Sequence, residues 1–245
     1  MSVQAIILAA GKGTRLAGMF NEPKALLPLS GKPVIQYILD TLHSLHIPSI
    51  IIVGYKKEML IKKLGTQYTY VTQIEKQGTA AAVSSAIPSL RDMSSDSNIL
   101  VLNSDDSAFL SEKTLQSFIN NHIQKKSDIT LLTVKKQNPF GLGRIIKKGD
   151  KVIAIVEEKD ATEKEKKIQE INTGVFCFHL GFLKDALSQI KPSPVTGEYY
   201  ITDLVKIAVE SKKKVQAYEL TNDTEIFGFN TPEEYKEAQK RMQKN

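Results

Sequence analysis

The segment Leu8-Ala9-Ala10-Gly11-Lys12-Gly13-Thr14-Arg15-Leu16 joins a short apolar run to two glycines and a basic pair. Glycine lacks Cβ, so the backbone can turn tightly there and bring its N–H groups close to a phosphate. The Arg15 guanidinium adds a fork of donors that suits phosphate oxygens. A dinucleotide loop needs a third glycine where Arg15 stands, and a Walker loop needs four spacers before Gly-Lys-Ser/Thr, which Gly11-Lys12-Gly13 breaks. A turn glycine pair followed by a surface arginine is the plain alternative. The second segment is Glu22-Pro23-Lys24-Ala25-Leu26-Leu27-Pro28. Its prolines bias Glu22 and Leu27 towards extended backbone. Lys24 therefore rides on a stiffened stretch nine residues after Arg15, within reach of the same phosphates, or is an ordinary exposed loop lysine.

No pairing of a nucleophile with a base stands out. Cys177 sits inside Val175-Phe176-Cys177-Phe178 and reads as core. A single cysteine makes neither an internal disulfide nor a zinc cluster, which excludes an oxidised secreted scaffold. His43, His46, His122 and His179 lack metal-ligand spacing and read as surface or helix-end residues. The net charge of +6 comes from scattered lysine pairs such as Lys56-Lys57 and Lys147-Lys148. Dispersed pairs of this kind are solvated faces, so neither nucleic acid nor a membrane is expected as a partner. No apolar run approaches the roughly 18–20 residues of a membrane helix. The N-terminus carries no basic region followed by an apolar stretch, so no signal peptide and a cytoplasmic location are expected.

The elements that must position these residues alternate along the first half. Ala5–Leu8, Ile50–Val53, Tyr68–Thr72, Ile99–Leu102 and Ile129–Val134 read as strands. Between them Val34, Ile35, Ile38, Leu42 and Leu45 repeat at helical spacing behind Pro33. Met59–Leu64, Ala80–Ile87 and Glu112–Lys125 read as further helices. Repeated β-α-β units imply an α/β fold: a three-layer, Rossmann-like arrangement with a mostly parallel central sheet. After Lys135 the rhythm changes. Arg144–Lys148 and Val152–Glu157 read as a hairpin, Ile171–Phe178 as a strand and Ile201–Ala208 as a helix. With no linker or repeat, residues 1–245 are expected to form one domain. Its α/β half spans about 1–135, its small β-rich lobe about 136–230, and a C-terminal helix 231–245.

The glycine loop with Pro23-Lys24, followed in order by further blocks, resembles the sugar-nucleotidyltransferases, or sugar-1-phosphate nucleotide pyrophosphorylases. Those blocks are Gln73, Gly78-Thr79-Ala80, Gly143-Arg144-Ile145, Val156-Glu157-Glu158-Lys159-Asp160-Ala161, Glu170-Ile171-Asn172-Thr173-Gly174, Gly197-Glu198-Tyr199-Tyr200-Ile201-Thr202-Asp203 and Gly228-Phe229-Asn230. Within that family the likeness is greatest to uridylyltransferase domains acting on N-acetylglucosamine-1-phosphate, and it runs from about Ala5 to Asn230. It implies that a sugar-1-phosphate oxygen attacks the α-phosphorus of UTP in line and expels pyrophosphate. Leu8, Ala9, Ala10, Gly11 and Gly13 would cradle the nucleotide. Gln73 and Gly78 would read the pyrimidine edge, with Thr79 supporting their loop. Arg15 and Lys24 would neutralise the triphosphate. The resemblance makes about 1–135 the nucleotide-binding half and about 136–230 a small β-rich sugar-binding lobe: Gly143, Glu157, Asn172, Tyr200 and Thr202 would line the sugar side, and Asp105 with Asn230 would hold Mg²⁺.

Two departures bear on this expectation. The family usually carries Gly-Asp at its metal strand, whereas this chain reads Asn103-Ser104-Asp105-Asp106. Strand register from Ile99 points to Asp105 as the ligand, and counting back from Thr114-Leu115 points to Asp106; Asp105 is preferred. Gly78-Thr79-Ala80-Ala81-Ala82 also lacks the polar residue expected two positions after the first alanine, which bears on the choice of nucleotide. A thymidylyl- or uridylyltransferase acting on glucose-1-phosphate, and a non-catalytic nucleotide-sugar sensor, are the rival readings.

Overall fold

In a computed structural model, which describes residues 2–13, 16, 20–73, 78–221 and 223–244, the apolar runs of the sequence become the inner strands of one sheet. The strands are β1 (Val3–Ala9), β2 (Pro28–Leu29), β3 (Lys32–Pro33), β4 (Ser49–Val53), β5 (Thr69–Thr72), β6 (Asn98–Asn103), β7 (Ile129–Lys135), β8 (Arg144–Lys148), β9 (Lys151–Val156), β10 (Glu170–His179) and β11 (Val215–Glu219). The helices are α1 (Val34–Ser44), α2 (Lys57–Leu64), α3 (Thr79–Ala86), α4 (Glu112–Lys125), α5 (Leu180–Leu187), α6 (Asp203–Glu210) and α7 (Pro232–Lys244). Among the described residues no helix is long and apolar enough to cross a membrane.

Strand order across the sheet is β11-β7-β10-β6-β1-β4-β5, with the β8–β9 hairpin branching from β10. β1 pairs in parallel with both β4 and β6, Ile6 lying opposite Ile50 on one side and Val101 on the other. Successive strand residues face opposite sides. Ala5, Ile7, Ile51 and Val53 accordingly join one core with α1, α2 and α4, while Ile6, Ile50, Ile52 and Val101 join a second with α3, α5 and α6. That division makes the three layers. The sheet is mixed, because β10 runs antiparallel to both β6 and β7. A hairpin and a single 3-10 turn, with no long crossover helix, separate β7 from β10, and parallel neighbours need such a crossover.

Local chemistry explains most element ends. Pro33 caps α1 with φ −54°, one position before the helix rather than as its first residue. Ser111 caps α4, its side chain accepting from the Thr114 N–H at 3.2 Å. α5 and β11 escaped the sequence reading: α5 follows β10 with no turn residue between, and β11 is a half-buried edge strand of mixed polarity.

The strand order also locates a crevice. From β1 the chain moves outward to β4 and β5, then returns to the other side of β1 to lay down β6. Ligands in open α/β sheets bind outside the carboxyl ends of strands where the order reverses in this way. Ala9 of β1 and Asn103 of β6 end side by side at that point, since Leu8 pairs with Asn103.

α3 enters this region at a fixed angle because the segment after Gly197 is bound to its first turn. The Ala80 N–H donates to the Tyr199 carbonyl at 2.9 Å, and the Ile201 N–H donates to Thr79 Oγ1 at 3.0 Å. Gly78 has φ +92° and ψ −173°, a region only glycine adopts freely. An added Cβ would lie 2.5 Å from the Tyr199 carbonyl oxygen. Gly78→Ala should cost roughly 3 kcal/mol in urea unfolding, and Gly197→Ala, where a Cβ meets nothing within 4 Å, about 1 kcal/mol. Equal losses would show that the Tyr199 contact carries no weight.

His122 meets the helix-end alternative of its expectation, lying in the last turn of α4, but it is not a surface residue: it is 1% exposed. Its Nδ1 lies 2.8 Å from Thr130 Oγ1 and its Nε2 3.1 Å from Asn98 Oδ1. Burial, aided by the nearby His179, lowers its pKa to about 4 against the usual 6.5, with Asp128 opposing. A depressed histidine leaves the folded protein neutral while the unfolded chain takes up a proton. This contribution to stability is complete above pH 6.5 and is lost as pH falls towards 4. Its size is on the order of 3 kcal/mol. Urea titrations between pH 7.5 and 4.5 should show wild type losing that much more stability than His122→Gln. Parallel curves would refute it.

Candidate active site

The carboxyl ends of β1, β5 and β6 open onto a cavity of about 500 Å³. Its walls include Leu8 to Gly13, then Gln73, Gly78 and Thr79, and finally Lys24, Asp105 and Asn230. Every nucleotide-side candidate except Arg15 thus faces one space; Arg15 lies outside the described residues. Lys12, Ser104 and Glu198, which the sequence motifs include without a role of their own, also line it. Gln73 is anchored twice, its N–H donating to Val53 O at 2.8 Å and its Nε2 donating to Gly78 O at 3.3 Å.

Lys24 sits at the start of a 3-10 turn capped by Pro23, and the turn buries Ala25 and Leu26 while leaving the lysine towards the cavity. Its ammonium forms an ion pair with Asp105 Oδ2 and donates to Asn230 Oδ1 at 3.0 Å. The Phe229 ring lies 5.1 Å away, close enough for a cation–π contribution. Side-chain exposures of 15% for Lys24 and 12% for Asp105 leave little water to screen the pair.

Asn230 is held by the start of α7. Its N–H and that of Thr231 both donate to Glu234 Oε2, at 2.6 and 3.0 Å, while the Glu234 N–H donates back to Thr231 Oγ1 at 3.2 Å. The segment Thr231-Pro-Glu-Glu234 has the spacing of such a reciprocal box, a signal that the sequence reading did not use.

Asp106 takes a different path from Asp105. Its Oδ2 accepts from Asn103 Nδ2 at 2.9 Å. Burial and the neighbouring Asp105 carboxylate raise its pKa to about 7, against the pull of Lys24 and Asn103. Of the two carboxylates, Asp105 is the one that shares a point with Asn230.

The lysine ammonium at that point tests the donor set for a metal. Two oxygens, one carboxylate and one amide, already converge on a single positive centre. Such a pair suits Mg²⁺, which binds through a few protein oxygens plus substrate phosphates and keeps waters. Among the described residues no group of three or more His, Cys, Asp or Glu side chains is arranged as a metal cage.

Of the residues expected on a sugar side, Tyr200 lines the cavity and its hydroxyl lies 2.7 Å from Thr196 Oγ1. Gly143, Glu157, Asn172 and Thr202 are not among the cavity walls but are joined to one another. The Thr202 hydroxyl donates to Glu157 Oε1 at 3.0 Å, a Cβ on Gly143 would lie 3.3 Å from Glu157 Oε2, and the Asn172 N–H donates to Gly143 O at 2.8 Å. Burial raises the Glu157 pKa, and the Thr202 hydrogen bond opposes this. Arg144 is a scaffold residue: it is fully buried, paired with Glu158 at 2.6 Å and bonded to the carbonyls of Leu142 and Lys166. Cys177 is buried, and burial pushes its thiol pKa up, away from nucleophilic use.

This architecture matches known proteins. The nucleotidyl transferase family profile covers residues 4–224. The bifunctional protein GlmU of Desulfitobacterium hafniense is 39% identical over 228 residues, 93% of this chain and 49% of that protein. GlmU of Brevibacillus brevis is 37% identical over 244 residues, 99% of this chain and 52% of its own length. The chain spans about half the length of the curated relatives it matches. Among solved structures, a Bacillus anthracis protein described as a glucose-1-phosphate thymidylyltransferase superposes with a TM-score of 0.80 at 22% identity, covering 100% of this chain and 96% of that one. A UDP-glucose pyrophosphorylase with UDP-glucose superposes at 0.81 and 18% identity, covering 100% and 99%. At such identities these two speak for the fold. With the profile running unbroken through the glycine loop, β6 and β10, the chain belongs to the nucleotidyl transferase family.

Proposed function

We propose that the chain transfers a uridylyl group from UTP to a sugar-1-phosphate, most suitably N-acetylglucosamine-1-phosphate, with Mg²⁺, giving a UDP-sugar and pyrophosphate. The observation that carries this reading is the convergence of Lys24, Asp105 and Asn230 at a cavity that the glycine loop also lines. One sugar-phosphate oxygen forms a bond to the α-phosphorus as the bond to the β-phosphate oxygen breaks, and the electron pair leaves with pyrophosphate. Such a transfer calls for positioning and charge neutralisation rather than a covalent intermediate. The buried Cys177 agrees with that.

Leu8, Ala9, Ala10, Gly11 and Gly13 would hold the nucleotide against the ends of β1 and β6. Gln73 and Gly78 would meet the edge of the base, and Thr79 would keep their loop seated on Ile201. A polar edge reader leaves its own groups unpaired against a wrong base, which is how it discriminates. Lys24, together with Arg15, would neutralise charge on the triphosphate and on departing pyrophosphate. Asp105 and Asn230 would hold Mg²⁺, which when bound supplies Lewis-acid stabilisation of the phosphate oxygens. Tyr200 would face the sugar, with Gly143, Glu157, Asn172 and Thr202 forming the connected wall behind it.

The test is a panel of nucleoside triphosphates against sugar phosphates, read as pyrophosphate released. UTP with N-acetylglucosamine-1-phosphate should give the highest kcat/KM. A maximum with dTTP or with glucose-1-phosphate would move the assignment to the rival enzyme. Silence across the panel, alongside UDP-sugar binding in calorimetry, would establish a sensor instead. Asp105→Ala should lower kcat/KM about 10³-fold, and Asp106→Ala about tenfold. The reverse order would relocate the metal ligand.

A further inference from the structure

The four-residue stretch where this chain departs from the Gly-Asp pattern is packed in a way that gives its two extra polar side chains a task. Asn103 and Asp106 are bonded to each other across the turn that ends β6, Nδ2 to Oδ2 at 2.9 Å. Each then abuts a glycine from another part of the chain. A Cβ on Gly228 would collide with Asp106 Oδ1 and lie 2.8 Å from its Cγ. A Cβ on Gly174, which has φ +78°, would collide with Asn103 Nδ2 and lie 3.2 Å from Cγ. Gly228 is two residues before Asn230. Gly174 is two residues after Asn172 and lies in the interval where β10 slips register against β7. Two backbones have therefore been brought against one side-chain pair more closely than any larger residue would allow.

We infer that Asn103 and Asp106 form a positioning pair that sets the distance of Asn230 from Asp105. This role rests on the proposed use of Asp105 and Asn230 as metal ligands. Asp105 and Asp106 leave the chain in succession; one carboxylate faces Lys24 and Asn230, and the other holds the backbone that delivers Asn230. If the Asp106 side chain is removed, the Gly228–Asn230 segment loses the surface it rests on. Asn230 Oδ1 then samples positions away from Asp105, and the fraction of molecules with both oxygens in place falls. A smaller competent fraction weakens apparent metal affinity in proportion. Because the role is one of shape and hydrogen bonding, an amide of the same outline serves at position 106.

The probe is Mn²⁺ alone, titrated into the full chain and followed by electron paramagnetic resonance, with no nucleotide present. Asp106→Ala should bind Mn²⁺ about tenfold more weakly than wild type, and Asp106→Asn should stay within about twofold. Gly228→Ala should weaken binding as Asp106→Ala does. In the double variant the added methyl meets nothing closer than Cβ of residue 106, at 3.7 Å, so Gly228→Ala should add nothing further to Asp106→Ala. Circular dichroism and melting accompany each variant. A lowered Tm with unchanged Mn²⁺ affinity in Asp106→Ala would reduce the pair to scaffolding and overturn the inference. Equal weakening by Asp106→Asn and Asp106→Ala would make the charge, rather than the shape, responsible, and would overturn it as well. Asp105→Ala separates the two levels. If wild type binds Mn²⁺ and Asp105→Ala does not, the metal reading stands whatever the position-106 variants do. If wild type binds none, metal reading and positioning role fail together.

Discussion

One ammonium group answers to three separate stretches of backbone. Lys24 comes from a proline-capped turn, Asp105 from the turn after the central strand β6, and Asn230 from the entry to the last helix, 206 residues away from the lysine. A cation and a carboxylate in a poorly hydrated crevice attract strongly, but each loses hydration on entering it, so the arrangement persists only where geometry is good and the remaining polar atoms are engaged. Asn230 accepts from the ammonium alongside Asp105, and the Phe229 ring faces it. Everything that fixes these three positions matters for the site: Pro23 at the turn, the parallel pairing of β6 with β1, and the capping box that opens α7.

The same constraint explains why the last helix belongs to the site and not just to the perimeter. α7 places Tyr235 and Ala238 in a small apolar cluster with Leu27, Leu29, Val34 and Phe229. Leu27 flanks the Lys24 turn and Phe229 lies under the ammonium. Apolar contact thus ties the base of the lysine segment to the base of the asparagine segment, and side-chain flexibility alone cannot separate them. Burial supplies the force without direction; the Glu234 and Tyr235 hydrogen bonds supply the direction.

The cavity carries both signs of charge: Lys12 and Lys24 line it together with Asp105 and Asp106, and Glu198 lines it too, with Glu157 and Asp160 near Tyr200. The Glu157 carboxyl, pushed upward by burial and met by the Thr202 hydroxyl, is a hydrogen-bonding group held in place rather than a free charge.

Much of this was legible in the sequence. Apolar runs of strand length and helical spacing set out β1, β4, β6, β7, α1 and α4 because burial on both faces of a sheet demands continuous apolar residues and burial on one face of a helix demands a period near 3.6. Glycines beside Lys12 and two prolines around Lys24 marked stretches that line the cavity, since the absence of Cβ and a fixed φ are local properties that any fold must respect. Tertiary structure decided the rest. The antiparallel course of β10, the burial of His122, the choice of Asp105 over Asp106 beside Asn230, and the seating of Asn103 and Asp106 on Gly174 and Gly228 all depend on which residues meet across long separations. Local propensity has no access to that, because the direction in which a carboxylate points at the end of a strand is settled by the backbone that packs against it.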